Sequence, residues 1–144
     1  MLSNRRTPCI GVCSTTYGDL VCRGCKRFSH EIVEWNGYDS DQQKRVWSRL
    51  SQLQDESVRA CVRVCDHARW RQVADSRIAA EPNEFAPLVL NVLRNVVKKP
   101  IEAGLESLGL PRDANSSDVL RSIDREFYVR STAYYERSFR TLAL

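Results

Sequence analysis

The chain has 144 residues, 42% of them hydrophobic, 28% charged and 8% aromatic, with a formal net charge of +4. That is the make-up of an ordinary globular protein, long enough for one domain or for a small module joined to a second compact unit. Its longest apolar stretches, such as Phe85 to Leu90, are too short to span a bilayer, so no membrane role is expected.

The first residues, Met1 to Thr7, contain no secretory h-region and run straight into a cysteine cluster. The expected compartment is therefore the cytoplasm, where thiols stay reduced. That argues against pairing the six cysteines as three disulfides. Residues 1–28 lack regular periodicity and are punctuated by Pro8, Gly11, Gly18 and Gly24, which predicts loops and tight turns. Ser29 is the predicted N-cap of a short helix reaching about Trp35. Phe28 and Val33 are placed to form a hydrophobic staple, Glu31 sits in the first turn, and Asn36-Gly37 is the stop.

Ser40-Asp41-Gln42-Gln43 reads as a capping box that opens a long helix. Val46, Leu50, Leu53, Val58, Cys61, Val62 and Cys65 continue it at helical spacing toward Ala80, with a bend expected near Gln54 to Ser57. After the breaker Glu81-Pro82-Asn83, Phe85 to Lys99 forms a broad apolar helix in which Pro87 is tolerated in the first turn. Ile101 to Leu108 suggests a further short helix, stopped by Gly109 and Pro111. Ser116 or Ser117 caps a last helix with Leu120, Ile123, Phe127, Tyr134 or Tyr135, Phe139 and Leu142 as its buried stripe. No strand alternation and no repeat of solenoid length is present. The predicted fold is mostly α: a small four-cysteine metal-binding knuckle at the N-terminus followed by an all-α helical body. The division falls into residues 1–57 and 58–144.

The chemistry lies in Cys9-x3-Cys13-x8-Cys22-x2-Cys25. Such a segment is too small for a hydrophobic core, and thiolates gathered this way replace the missing core with ligand bonds. In Cys22-Arg23-Gly24-Cys25 the two-residue spacer lets both sulfurs reach one ion. Gly24 is expected to make the tight turn, with backbone N–H groups after it bonding to sulfur. The spacing suits tetrahedral Zn²⁺. An iron–sulfur cluster uses the same thiolates, although neither the bacterial ferredoxin run nor the plant-type spacing is present. A thioredoxin-like Cys22-x-x-Cys25 would lack its βαβ surroundings and leave Cys9 and Cys13 unexplained.

Cys61 and Cys65, four apart on a helix, read as packing residues that share an apolar face, with a second ligand pair as the sharper alternative. His30 is expected to be an exposed first-turn histidine, and His67 lies beside the Cys65 stripe. Trp35 and Trp47 are expected to close a small core. Trp70, flanked by Arg69 and Arg71, suggests a surface contact or a stacked pair.

Residues 1–30 carry Arg5, Arg6, Arg23, Lys26 and Arg27 against Asp19 alone, so the whole excess charge sits on the cysteine module. Two uses are open. The cations neutralise a metal–thiolate centre whose net charge is about −2, or they form a contact patch for nucleic acid. No Ser-His-Asp order, phosphate-binding loop, Rossmann fingerprint or His-Glu-x-x-His motif is present, so an enzyme is not the expected reading.

Pro8-Cys9-Ile10-Gly11-Val12-Cys13, Cys22-Arg23-Gly24-Cys25-Lys26-Arg27, Glu31-Ile32 and Trp35 together resemble the YdhL-like family of small bacterial predicted iron–sulfur proteins of undetermined function. The resemblance covers roughly residues 7–57. It departs from the family pattern after the second pair, where Arg27-Phe28-Ser29 replaces the usual Arg-Thr. It implies Cys9, Cys13, Cys22 and Cys25 as the ligands and tilts the metal toward an iron–sulfur cluster, in a redox-sensing or electron-transfer role. The alternative is a zinc-stabilised module that docks on a protein or nucleic acid through its basic N-terminal face.

Overall fold

Asp39 and Gln42 begin the longest helix by exchanging bonds across its first turn. The Asp39 carboxylate accepts the Gln42 N–H at 2.8 Å, and the Gln42 side-chain oxygen accepts the Asp39 N–H at 2.9 Å. The structure, a computed structural model, describes residues 7–11, 13–68, 70, 85–96, 108 and 115–140. Its α-helices among these residues include α1 (Ser29–Glu34), α2 (Ser40–Cys61), α3 (Phe85–Val96) and α4 (Ser116–Tyr135), and His67, Ala68 and Trp70 are also helical. Short 3-10 turns occupy Ser14–Tyr17 and Trp35–Gly37, and a π-helical turn, Glu136–Arg140, follows α4. β pairing among the described residues is limited to an isolated antiparallel bridge between Val21 and Phe28. The mostly helical expectation is met, and no helix among the described residues is long and apolar enough to cross a membrane.

Three helix starts fall one residue earlier than their serine signals. Asp39, not Ser40, caps α2. Phe28, not Ser29, occupies the cap of α1, where its N–H donates to the Glu31 carboxylate at 2.8 Å. Asn115, not Ser116 or Ser117, caps α4, its side-chain oxygen accepting the Ser117 N–H at 2.9 Å. At α2 and α4 an Asp or Asn is the stronger or equal cap, and a carboxylate also meets the helix dipole. The Phe28–Val33 staple does not form, because Phe28 is fully buried while Val33 is 81% exposed.

α2 is unbroken through Gln54 to Ser57 and ends at Cys61, well short of Ala80. Beyond it, the Arg63 N–H donates to the Leu108 carbonyl at 3.1 Å instead of continuing the helical ladder. The predicted continuation over 71–80, the end of the third helix at 97–99 and most of the Ile101–Leu108 segment lie outside the described residues. So does Leu142.

The chain divides into two compact units, Met1–Gln54 with Glu126–Leu144, and Asp55–Arg125. In the first, Trp35, Val46, Leu50, Leu53 and Phe127 form the core, with Trp47 packed edge-on at 6.5 Å from Trp35. This is the small tryptophan-closed core that the sequence suggests. In the second, Val89, Val92 and Leu93 of α3 are fully buried among Val58, Val62, Leu108 and Ile123. Trp70 belongs to that core at 7% exposure and packs on Phe85 at 6.4 Å, so it is not a surface contact. The indole is large enough that burial stabilises it more than a stacked arginine on the surface would.

Candidate metal centre

Cys22 and Cys25 lie on a loop closed by its own backbone. The Cys22 N–H donates to the Arg27 carbonyl and the Lys26 N–H to the Cys22 carbonyl, both at 2.9 Å. Just outside, the Ser29 N–H donates to the Leu20 carbonyl at 2.8 Å. Gly24 lies in the turn over residues 23–25, as the sequence suggests, while the left-handed residue of the loop is Lys26, with φ of 66°. A lysine is held in that unfavourable region by what its side chain gains. Its ammonium donates to the carbonyls of Arg23 at 2.6 Å and Gly24 at 3.0 Å, and sits 5.3 Å from the centre of the Phe127 ring.

The sulfurs occupy unlike surroundings. Cys22 is fully buried. Burial works to raise its pKa, but backbone N–H groups of Cys25, Ser14 and Gly24, together with the Cys25 thiol, outweigh burial and leave it below the ordinary thiol range. Cys25 is buried too, and there desolvation wins and raises the thiol, although the Arg27 Nε–H donates to its sulfur at 3.3 Å. Cys13 is half-buried. The Thr15 hydroxyl, 2.9 Å from its sulfur, is the main cause that lowers its pKa. Cys9 is exposed, and its sulfur accepts the Gly11 N–H at 3.3 Å. The charge of Cys22 acts weakly on both Cys13 and Cys25, raising each. All four are free thiols.

In kind, these donors fit a thiophilic metal: soft sulfurs, two of them buried, with N–H groups aimed at Cys22. No set of three or more Cys, His, Asp or Glu side chains among the described residues is gathered closely enough to hold a metal ion. The Cys22 and Cys25 thiols interact directly with each other.

The basic residues of the module divide as well. Arg23 is exposed and pairs with Asp19 at 3.4 Å. Lys26 and Arg27 are buried, at 2% and 4% exposure, with the Arg27 guanidinium 4.9 Å from the Trp35 ring centre. Of the five cations read as a basic face, two point inward toward the cysteine loop, and Arg5 and Arg6 lie outside the described residues. Three contributors carried no motif. Ser14 accepts the Arg23 N–H at 2.8 Å, Thr15 bonds Cys13, and Arg49 on α2 ion-pairs with Glu31. Thr15, two residues from a cysteine, was within reach of a sequence argument, whereas Arg49 was not.

Cys61 and Cys65 do not share a helix face. Cys61 is the last residue of α2 and packs on the core of its unit, as expected, but Cys65 is exposed in the bend that follows. The helix ends before Cys65, which removes the four-residue relationship. His30 is half-buried rather than exposed, packed edge-on to Phe139 at 5.1 Å.

Residues 7–54 match the family described as a protein of unknown function, DUF1289. The match spans about a third of the chain, contains all four clustered cysteines and covers nearly the segment on which the sequence resemblance rests. No curated protein and no solved structure matches the chain.

Proposed function

We propose that the DUF1289-like module is a thiolate metal centre. Cys9, Cys13, Cys22 and Cys25 bind an iron–sulfur cluster that serves a redox-sensing or electron-transfer role in the cytoplasm. The observation that carries this reading is Cys22, a buried thiol kept below its ordinary pKa by three backbone N–H groups. Such N–H bonds, and the Arg27 guanidinium on Cys25, are the groups by which a protein tunes a cluster's potential. When bound, the cluster supplies one-electron chemistry. The chain's own part is to supply the four thiolates and to hold Cys22 and Cys25 on a loop closed by its own backbone bonds.

A second reading is a zinc-stabilised docking module. It is favoured by the spacing and by Ile10, Tyr17 and Leu20, which are 57%, 91% and 42% exposed on the same module. Its partner is then a protein with an apolar face. Nucleic acid binding would rest on Arg5, Arg6 and Arg23, because Lys26 and Arg27 are buried.

Anaerobic purification with metal and sulfide analysis and a visible spectrum tests both. Iron, sulfide and a visible band that disappears in Cys22→Ser support the cluster. One zinc per colourless chain overturns the cluster in favour of the docking module. A chain that takes up neither metal removes both readings.

A further inference from the structure

In the unit Asp55–Arg125, a cavity of about 420 Å³ is lined by Arg59, Arg63 and His67 together with Val62, Val64, Trp70 and Phe85. The volume lies within the range of small-molecule sites, and the lining has their usual character: apolar and aromatic walls with a few polar groups. The polar groups here are all basic or imidazole. The aromatic wall is built, since Trp70 is buried and meets Phe85 edge-on at 6.4 Å. Arg59 is already engaged. Its guanidinium lies 4.6 Å from the Phe85 ring centre and its Nε donates to Asp55 at 2.8 Å, so it serves as one wall of the cavity. Arg63 and His67 have no ion-pair partner among the described residues, and both are exposed. Two N–H donor groups with no ion-pair partner among the described residues, beside a buried aromatic wall, complement a ligand that is both flat and negatively charged.

We propose that this cavity binds a small aromatic anion, its ring against Phe85 and Trp70 and its carboxylate or phosphate on Arg63 and His67. The two kinds of acid share the chemistry the site recognises, and the test separates them. The proposal is independent of the cysteine module and of any metal there.

Titration of the full chain with AMP, indole-3-acetate, inorganic phosphate and neutral adenosine, followed by amide and indole N–H shifts in NMR, tests it. At least one aromatic anion is expected to bind saturably, with shifts at Trp70 and at Val62 to Val64. Adenosine and inorganic phosphate are each expected to bind about tenfold or more weakly than that anion, since each supplies only half the contacts. Preference for AMP or for indole-3-acetate assigns the acid as phosphate or carboxylate. The double variant Arg63→Ala with His67→Ala changes two exposed side chains and is expected to keep the native spectrum while losing about tenfold in affinity. Absence of saturable binding by either aromatic anion overturns the proposal. So does equal binding of adenosine, or unchanged affinity in the folded double variant.

Discussion

The Arg49 guanidinium grips the Glu31 carboxylate on two sides, Nη1 to Oε2 and Nη2 to Oε1, each at 2.6 Å. The two residues stand on different helices, α2 and α1, and their side chains are only 12% and 6% exposed. Glu31 also accepts the Phe28 N–H, and the Arg49 guanidinium lies 4.0 Å from the centre of the Phe28 ring. One ion pair thus ties α1, and with it the last residue of the cysteine loop, to the long helix. Deleting one member strands a charge in a buried setting, which costs about 3–5 kcal/mol. Arg49→Met and Glu31→Gln are each expected to lower stability by that order in urea unfolding. The double variant should lose clearly less than the sum. Additive losses would show that the two side chains act separately.

Lys26 combines a left-handed backbone with two carbonyl bonds from its ammonium. Lys26→Met keeps the bulk and removes the bonds, leaving the loop with strain and little to offset it. A loss of about 1–3 kcal/mol is expected, since charged hydrogen bonds are removed at a buried site. Lys26→Gly, which also relieves the backbone, should lose less than Lys26→Met. The reverse order in thermal unfolding would mean that packing on Phe127, and not the carbonyl bonds, holds the residue.

The thiol of Cys13 is lowered chiefly by the Thr15 hydroxyl. In metal-free protein its alkylation by iodoacetamide should therefore persist to lower pH than that of an ordinary thiol, because the thiolate is the reacting form. Thr15→Val removes the stabilising bond, so the midpoint of the rate profile should move up and the rate at neutral pH should fall. Peptide-resolved mass spectrometry measures both. An unchanged profile in Thr15→Val would break the link between the two residues.

Leu93 is fully buried among the core residues of the second unit. Leu93→Ala should cost about 2–5 kcal/mol through lost burial and the cavity left behind. Metal content per folded chain, read at low temperature, should stay unchanged if the centre is confined to residues 9–25. Cys61→Ser and Cys65→Ser provide the matching control, because neither is a proposed ligand. A fall in metal content in either single variant would bring the second cysteine pair into the site.

What the linear sequence determined by itself was local. Helical spacing of apolar residues identified the helices, since a period of 3.6 leaves a stripe that must be buried. The four cysteines stood out because such close spacing has few other uses. Cap positions were legible to within one residue. They missed where Asp39 and Asn115 outcompeted a neighbouring serine, and where the cap of α1 depended on Glu31 reaching back to Phe28.

What only the tertiary structure decided was the environment of each group. The sequence left open whether Lys26 and Arg27 compensate the thiolates or form a contact patch; both turn inward, one onto backbone carbonyls and one onto a cysteine sulfur. Trp70 reads as a surface contact or a stacked pair and is a core residue. Cys61 and Cys65 part company because α2 ends where the Arg63 N–H finds a carbonyl 45 positions away, at Leu108. The physical reason is common to all of these. Burial, charge compensation and helix termination depend on partners distant in the chain, and periodicity and spacing carry no information about distant partners.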